Sequence, residues 1–193
     1  MNTLKQKVIV LDCEEALELV KANVKNQNIV RHMIAVKGIM EALANYLNED
    51  ESLWALTGLV HDIDYEKTAQ NFEKHGILAE EMLKGKVPDE ALTAIKAHNH
   101  EHSGVTPKTR LDKGLIASDA ASGLIVACAL VMPSKKAKDV DAKTVAKKFK
   151  DKDFARGADR SRIVVCEDLG IPKETFLEIA LKGVQTVSQS LGI

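Results

Sequence analysis

The chain has 193 residues, 45% of them hydrophobic and 28% charged, with a net charge of −1. That apolar fraction supports a globular protein with a real core, and the near-neutral balance excludes a general attraction to nucleic acid or to an anionic membrane. An anionic ligand must therefore be held by a local pocket.

The three cysteines, Cys13, Cys128 and Cys166, are widely spaced and form no Cys-x-x-Cys pair. This predicts reduced thiols, with Cys128 and Cys166 buried. Val8 to Leu11 is an apolar run of only four residues, too short for the core of a signal peptide or for a counted strand. Gly123 to Met132 is the longest apolar run, about half of a bilayer crossing, and reads as a buried helix. Both features predict a cytoplasmic protein with no membrane partner.

In chain order, Asp12 and Glu15 form a helix-start signal, and Leu17, Val20 and Val24 continue it with helical spacing. Asn26 to Asn28 interrupts the pattern. Ile29, Met33, Val36, Met40, Leu43 and Leu47 then form an apolar stripe at steps of three and four, with His32 beside it. Asp50 precedes a third helix, Glu51 to Val60, which delivers His61-Asp62 at its end. After a polar loop, residues 63–71, a fourth helix is predicted over Phe72 to Lys84, with His75 near its start and Gly85 as its stop.

Pro88 suits the first turn of a fifth helix that runs to His98 and ends by Ser103-Gly104 and Pro107. The next helix, Lys113 to Met132, carries Asp119 and stops at Pro133. A lysine-rich connector, Ser134 to Lys152, leads to helical stretches over Arg160–Leu169 and Lys173–Leu191. No stretch alternates with period two, so the expected fold class is all-α.

The chemistry-bearing residues in order are His32, His61-Asp62, His75, His98 and Asp119, each on a different predicted helix or helix end. All six histidines precede residue 103, and the last ninety or so residues have none. Most of these candidates neighbour core positions, so helices packing through their stripes would bring the polar groups to one interior point. Imidazoles and carboxylates without thiolate suit a divalent first-row metal such as iron or manganese, with zinc and magnesium less favoured.

The series His32, His61-Asp62, Asp119 resembles the HD-domain superfamily of metal-dependent phosphohydrolases, whose core is a helical bundle. His75 in "KHGILAEEML" and His98 in "IKAHNHEH" are similar to the additional histidines of its HDIG-type branch, which holds two metals. The stretches "RHMIAVKGIMEALA", "LTGLVHDIDYE", "LIASDAASGLIVACALVMPSKK" and "FARGADRSRIVVCEDLGI" also resemble that branch. The resemblance covers about residues 15 to 190. It implies one HD-type domain, 1–193, with a bundle core over about 12–133 and a C-terminal helical extension over about 134–193.

Carried over, the resemblance implies that His32, His61, Asp62 and Asp119 hold a first metal, and that His75 and His98 hold a second with Asp62 bridging. The chain departs from the branch pattern at Asp64, where glycine would follow isoleucine. Asp64 is then either a catalytic carboxylate in the cleft, taking a proton beside Asp62, or a loop or helix-cap residue. On a continuing helix His98 and His102 share a face, which makes His102 an additional ligand or a supporting group and leaves His100 solvated. Lys135, Arg156 and Arg160 are the favoured phosphate-binding cations, whereas Lys143, Lys147, Lys148 and Lys150 read as a solvated helix face.

The expected activity is hydrolysis of a nucleotide or other small phosphoester by metal-activated water. Two alternatives keep the fold: a di-iron oxygenase, and a nucleotide-sensing module without turnover, against which the complete ligand series argues. The apolar C-terminal helix would suit a homo-oligomer.

Overall fold

A computed structural model describes residues 10–193; residues 1–9, which carry most of the signal-peptide and Val8–Leu11 readings, lie outside the described residues. Among the described residues the chain is 72% helical, with twelve α-helices and no strand. The all-α expectation holds.

The first helix, α1 (Cys13–Asn23), starts where Asp12 accepts from the backbone N–H of Glu14 and Glu15 while Glu15 reaches back to the Asp12 N–H. Asn26 caps α2 (Gln27–Leu47), and Asp50 caps α3 (Glu51–Val60) through the Leu53 N–H. The predicted stripe of α2 is buried along its length: Met33, Val36, Met40 and Leu43 are wholly inaccessible. Each such side chain contributes about 1.5–3 kcal/mol through loss of apolar surface to water.

Short helices α4 (Tyr65–Thr68) and α5 (Ile77–Leu83) lead to α6 (Asp89–His98) and the single turn α7 (His100–Ser103). The long α8 (Arg110–Val131) follows, then α9 (Ala142–Lys150), α10 (Arg160–Val164), α11 (Lys173–Thr186) and α12 (Ser188–Leu191). Helix α2 is the centre of the bundle and packs against α3, α8 and α11.

The crossing of α2 with α11 is a backbone contact. A Cβ built on Gly38 would overlap the carbonyl oxygen of Gly183, and one on Gly183 would overlap Gly38 in turn. Two glycines are what allow the approach. Phe176, Leu177, Ala180 and Val184 of α11 are buried in the same cluster as the α2 stripe. The stretch expected as an extension thus packs into the bundle through the apolar face of α11.

Helix α8 is the one described helix long and apolar enough to cross a membrane, and 67% of that apolar window is buried inside the bundle. It begins three residues before its expected start because Thr109 and Asp112 form a capping box. The lysine-rich connector contains α9, capped by Asp141 through the Thr144 N–H.

The expected helix over 72–84 is broken. Phe72–Lys74 form a single 3₁₀ turn, His75 is extended, and Gly76 has φ of +83° before α5 begins. A β-carbon at Gly76 would meet the Ile95 carbonyl oxygen at 2.9 Å, so glycine satisfies both the conformation and the space. The cause lies elsewhere in the chain: the Asp64 carboxylate accepts from the N–H groups of Gly76 (2.9 Å) and Ala79 (3.0 Å), capping α5 from a distance in sequence.

Candidate metal centre

Five elements deliver the polar groups to one point. His61 caps the end of α3 in helical conformation, with Asp62 beside it; His32 comes from α2, His75 from the turn before α5, His98 from the last position of α6 and Asp119 from α8. Asp62 Oδ1 lies 3.3 Å from His61 Nε2, 3.2 Å from His75 Nε2 and 3.6 Å from His98 Nε2. Its other oxygen is 3.5 Å from His32 Nε2. Asp119 Oδ1 completes the group at 3.1 Å from His32 Nε2 and 3.8 Å from His61 Nε2.

Two sets of groups could each hold an ion: His32, His61 and Asp62, and Asp62, His75 and His98. Asp62 is common to both.

The outward ring nitrogens are already engaged. Nδ1 of His61 donates to the Gly58 carbonyl at 2.9 Å, Nδ1 of His98 to the Ile95 carbonyl, and Nδ1 of His75 to Asp64 Oδ1 at 2.9 Å. Nδ1 of His32 donates to the Ser122 hydroxyl at 2.9 Å, because that hydroxyl gives its own proton to the Asp119 carbonyl at 2.8 Å. With Nδ1 protonated in four neutral imidazoles, every Nε2 presents a lone pair to the interior, the arrangement by which surrounding groups orient metal-binding histidines.

His61 Nε2 is buried with no hydrogen-bond partner, and the Nε2 atoms of His75 and His98 face each other at 3.0 Å. Lone pairs and two carboxylates placed so close together suit a cation between them. The donor set fits divalent metal.

Protons occupy those places otherwise. Burial pushes the His98 imidazole down, aided by the charges of His61 and His75 and only partly offset by Asp62. At His75 burial acts the same way, but hydrogen bonds and charge from Asp62 and Asp64 outweigh it and raise the pKa to about 9. The shared proton therefore sits on His75 and is donated to His98. Burial would raise the carboxyl of Asp62, but the imidazoles gathered around it, His61 first and then His75, His98 and His32, hold it well below the usual range. For Asp119 burial is likewise overcome, here by the imidazoles of His32 and His61 beside it. His32 in turn is raised, burial being offset by Asp119 and Asp62.

The centre opens into a cavity of about 460 Å³ whose lining includes His32, Asp62, His75, His98, Asp119 and Arg162. Among the described residues Arg162 is its one lysine or arginine. It donates through Nη2 to the His98 carbonyl at 2.7 Å and to Asp119 Oδ2 at 3.3 Å.

The structure places other expected residues elsewhere. Asp64 is fully buried and binds His75, Gly76 and Ala79, so it occupies the cap position and not the cleft. The Arg160 guanidinium donates to backbone carbonyls of Lys148, Phe149, Asp151, Phe154, Ala155 and Ala158, which leaves it no anion to bind. Lys135 sits exposed in the corner after α8 with φ of +53°, and Arg156 lines a separate depression beside Phe149. Neither reaches the cleft.

The helix carrying His98 breaks at Asn99, whose side chain donates to the carbonyls of Phe72 and His75. His102 therefore does not share a face with His98; it is exposed and meets the Phe72 ring edge-on. His100 is half-buried with Nδ1 sealed from water, not solvated.

Sequence reasoning passed over Arg162, Ser122 and Asn99. The one signal for Arg162 was its position three residues after the capping Asp159, in a stretch already singled out, where Arg156 and Arg160 were equally available.

A model of the HD domain matches residues 29–130, more than half of the chain and a span that holds every candidate ligand from His32 to Asp119. No curated protein and no solved structure matched. HD domains generally bind divalent metals, and the donor set here could hold them. The match over residues 29–130 makes the chain a member of the HD-domain family.

Proposed function

We propose that the protein is a metal-dependent phosphohydrolase of the cytoplasm that cleaves a small phosphoester. The observation that carries the reading is the convergence of four Nε2 lone pairs on the carboxylates of Asp62 and Asp119, with Nδ1 of each imidazole donating outward. His32, His61, Asp62 and Asp119 would hold one ion. His75 and His98 would hold a second, with Asp62 shared, and iron or manganese suits this nitrogen and oxygen set best. Ions bound there supply Lewis acidity: they lower the pKa of water and neutralise charge on phosphoryl oxygens.

The chain supplies the rest. Asp64 keeps the proton of His75 on Nδ1 and fixes the ring's direction. Arg162, tied to the His98 carbonyl and to Asp119, holds a permanent positive charge at the cleft where phosphoryl oxygens would lie. The burial of α8 and the three free cysteines favour the cytoplasm.

The test is elemental analysis of the purified protein beside Asp62→Ala, with a phosphoester screen on the metal-loaded wild type. About two equivalents of metal, lost in the variant, and turnover of a phosphoester support the reading. Equal metal in both proteins, or no metal after reconstitution, overturns the site. Metal without phosphoester turnover, but with redox cycling under dioxygen, transfers the site to oxygenase chemistry.

A further inference from the structure

The cleft shares His32 as a wall with a neighbouring space. The same imidazole and Asn28 also line a second cavity of about 360 Å³, walled by Val126 and Leu130 of α8 and by Leu191 and Ile193. Its volume is within the range of about 300–1,000 Å³ typical of small-molecule sites. Leu130 is half exposed there, although the bundle beneath it is closely packed. Gly123 leaves the wall open: a Cβ on it would meet nothing nearer than Ala158 at 3.9 Å.

Polar capacity inside this cavity is low. The Ser122 hydroxyl is engaged on both sides, accepting from His32 and donating to the Asp119 carbonyl. Arg31 and Asn28 remain, beside His32. A nucleobase placed against Val126, Leu130 and Leu191 would leave ring donors and acceptors without partners, which is costly. A hydrocarbon chain loses nothing there and sheds water.

We infer that this second cavity receives the hydrocarbon of the substrate, which is therefore a phosphate ester of an aliphatic alcohol. The inference rests on the hydrolase reading above. The phosphoryl group lies at the centre formed by the histidines and Asp62, and the chain passes His32 into the apolar cavity. In the reaction the water oxygen bonds to phosphorus, the bond between phosphorus and the alkyl oxygen breaks, and a water proton leaves with the alcohol. No oxidant or reductant is needed.

The experiment uses the metal-loaded full chain with two series. Non-hydrolysable alkylphosphonates of increasing length are titrated by calorimetry, and kcat/KM is measured for the matching alkyl phosphates and for nucleoside monophosphates. Affinity and kcat/KM should rise about fourfold for each added methylene until the cavity is full. Leu130→Asn and Gly123→Leu should flatten that slope; both sites are solvent-accessible, and two variants guard against a folding defect in either.

A flat series with methyl phosphate still hydrolysed overturns the cavity assignment and leaves the hydrolase reading standing. So does a slope unchanged in both variants, or a preference for nucleoside monophosphates over hexyl phosphate. A dimer in solution that Leu130→Asn disperses would give the cavity to a second copy and overturn the assignment as well. Failure to bind any phosphonate or to hydrolyse any ester overturns both readings together.

Discussion

Asp64 Oδ1 accepts the Nδ1 proton of His75 at 2.9 Å while Oδ2 accepts from two backbone N–H groups of the turn and helix that follow. One buried carboxylate therefore fixes both the tautomer of a candidate ligand and the backbone that presents it. Asp64→Asn keeps an acceptor but adds an amide donor that cannot satisfy the same three groups. The expected result is a loss of about 10–100-fold in metal affinity, the usual cost of disturbing a partner behind a ligand, confined to the ion at His75 and His98. Metal titration should then show one strong site in place of two.

Arg162 should matter to the anion and not to the metals. Arg162→Ala removes a charged hydrogen-bond donor from the cleft, and the loss of such a contact is worth about 1.5–3 kcal/mol. Inorganic phosphate, titrated as an inhibitor of the metal-loaded protein, should bind about 10–100-fold more weakly. Metal content should stay at the wild-type value; its loss would make Arg162 a support for Asp119 only.

Arg160 should behave in the opposite way. Its guanidinium ties together the carbonyls of α9, the following turn and the approach to α10. Arg160→Ala leaves several partly buried carbonyls without donors and should cost about 2–4 kcal/mol of stability, read from urea unfolding. Lysine cannot reproduce the fork of donors, so Arg160→Lys should rescue little. Phosphate affinity at the cleft should not change in the folded fraction.

The buried thiols give a pH prediction. Burial pushes Cys128 up to about 11 and Cys166 up to about 12. Thiolate is the reactive form, so raising the pH from neutrality to about 9 should leave both unalkylated by iodoacetamide in the folded protein. Cys13, half-buried and raised less, should label first, and all three should label together once the chain is unfolded. Mass spectrometry after a timed quench reads the order directly.

Much of this molecule is visible in local sequence. The stripe Met33, Val36, Met40, Leu43 announces α2 because a helix repeats every 3.6 residues, and Asp12 and Asp50 announce helix starts because a short side-chain acceptor satisfies orphan N–H groups there, as Asn26, read only as an interruption, also does. The candidate donors could also be gathered as a group, since imidazole and carboxylate beside buried helix faces have few reasons to be there. The structure brings His32, His61, Asp62, His75, His98 and Asp119 within contact of one another.

What local reasoning missed is set by residues distant in the chain. The break at His75 depends on Asp64 reaching across to Gly76, and no periodicity encodes that bond. The separation of His98 from His102 depends on Asn99 turning its amide to Phe72 and His75. The choice among arginines follows the same rule: all carry the same charge in sequence, but Arg160 is surrounded by carbonyls while Arg162 meets Asp119 at the cleft.

The sequence by itself determined the longer helices α1, α2, α3, α8 and α11, the caps at Asp12 and Asp50 and the chemical type of the donors, because these follow from short-range periodicity and from side-chain chemistry. Only the tertiary structure decided which polar groups face the cleft, which are locked to the backbone and where the apolar cavity lies beside His32. Those outcomes depend on how α2, α8 and α11 cross, and the crossing is set by close packing between residues far apart in the chain, such as Gly38 and Gly183.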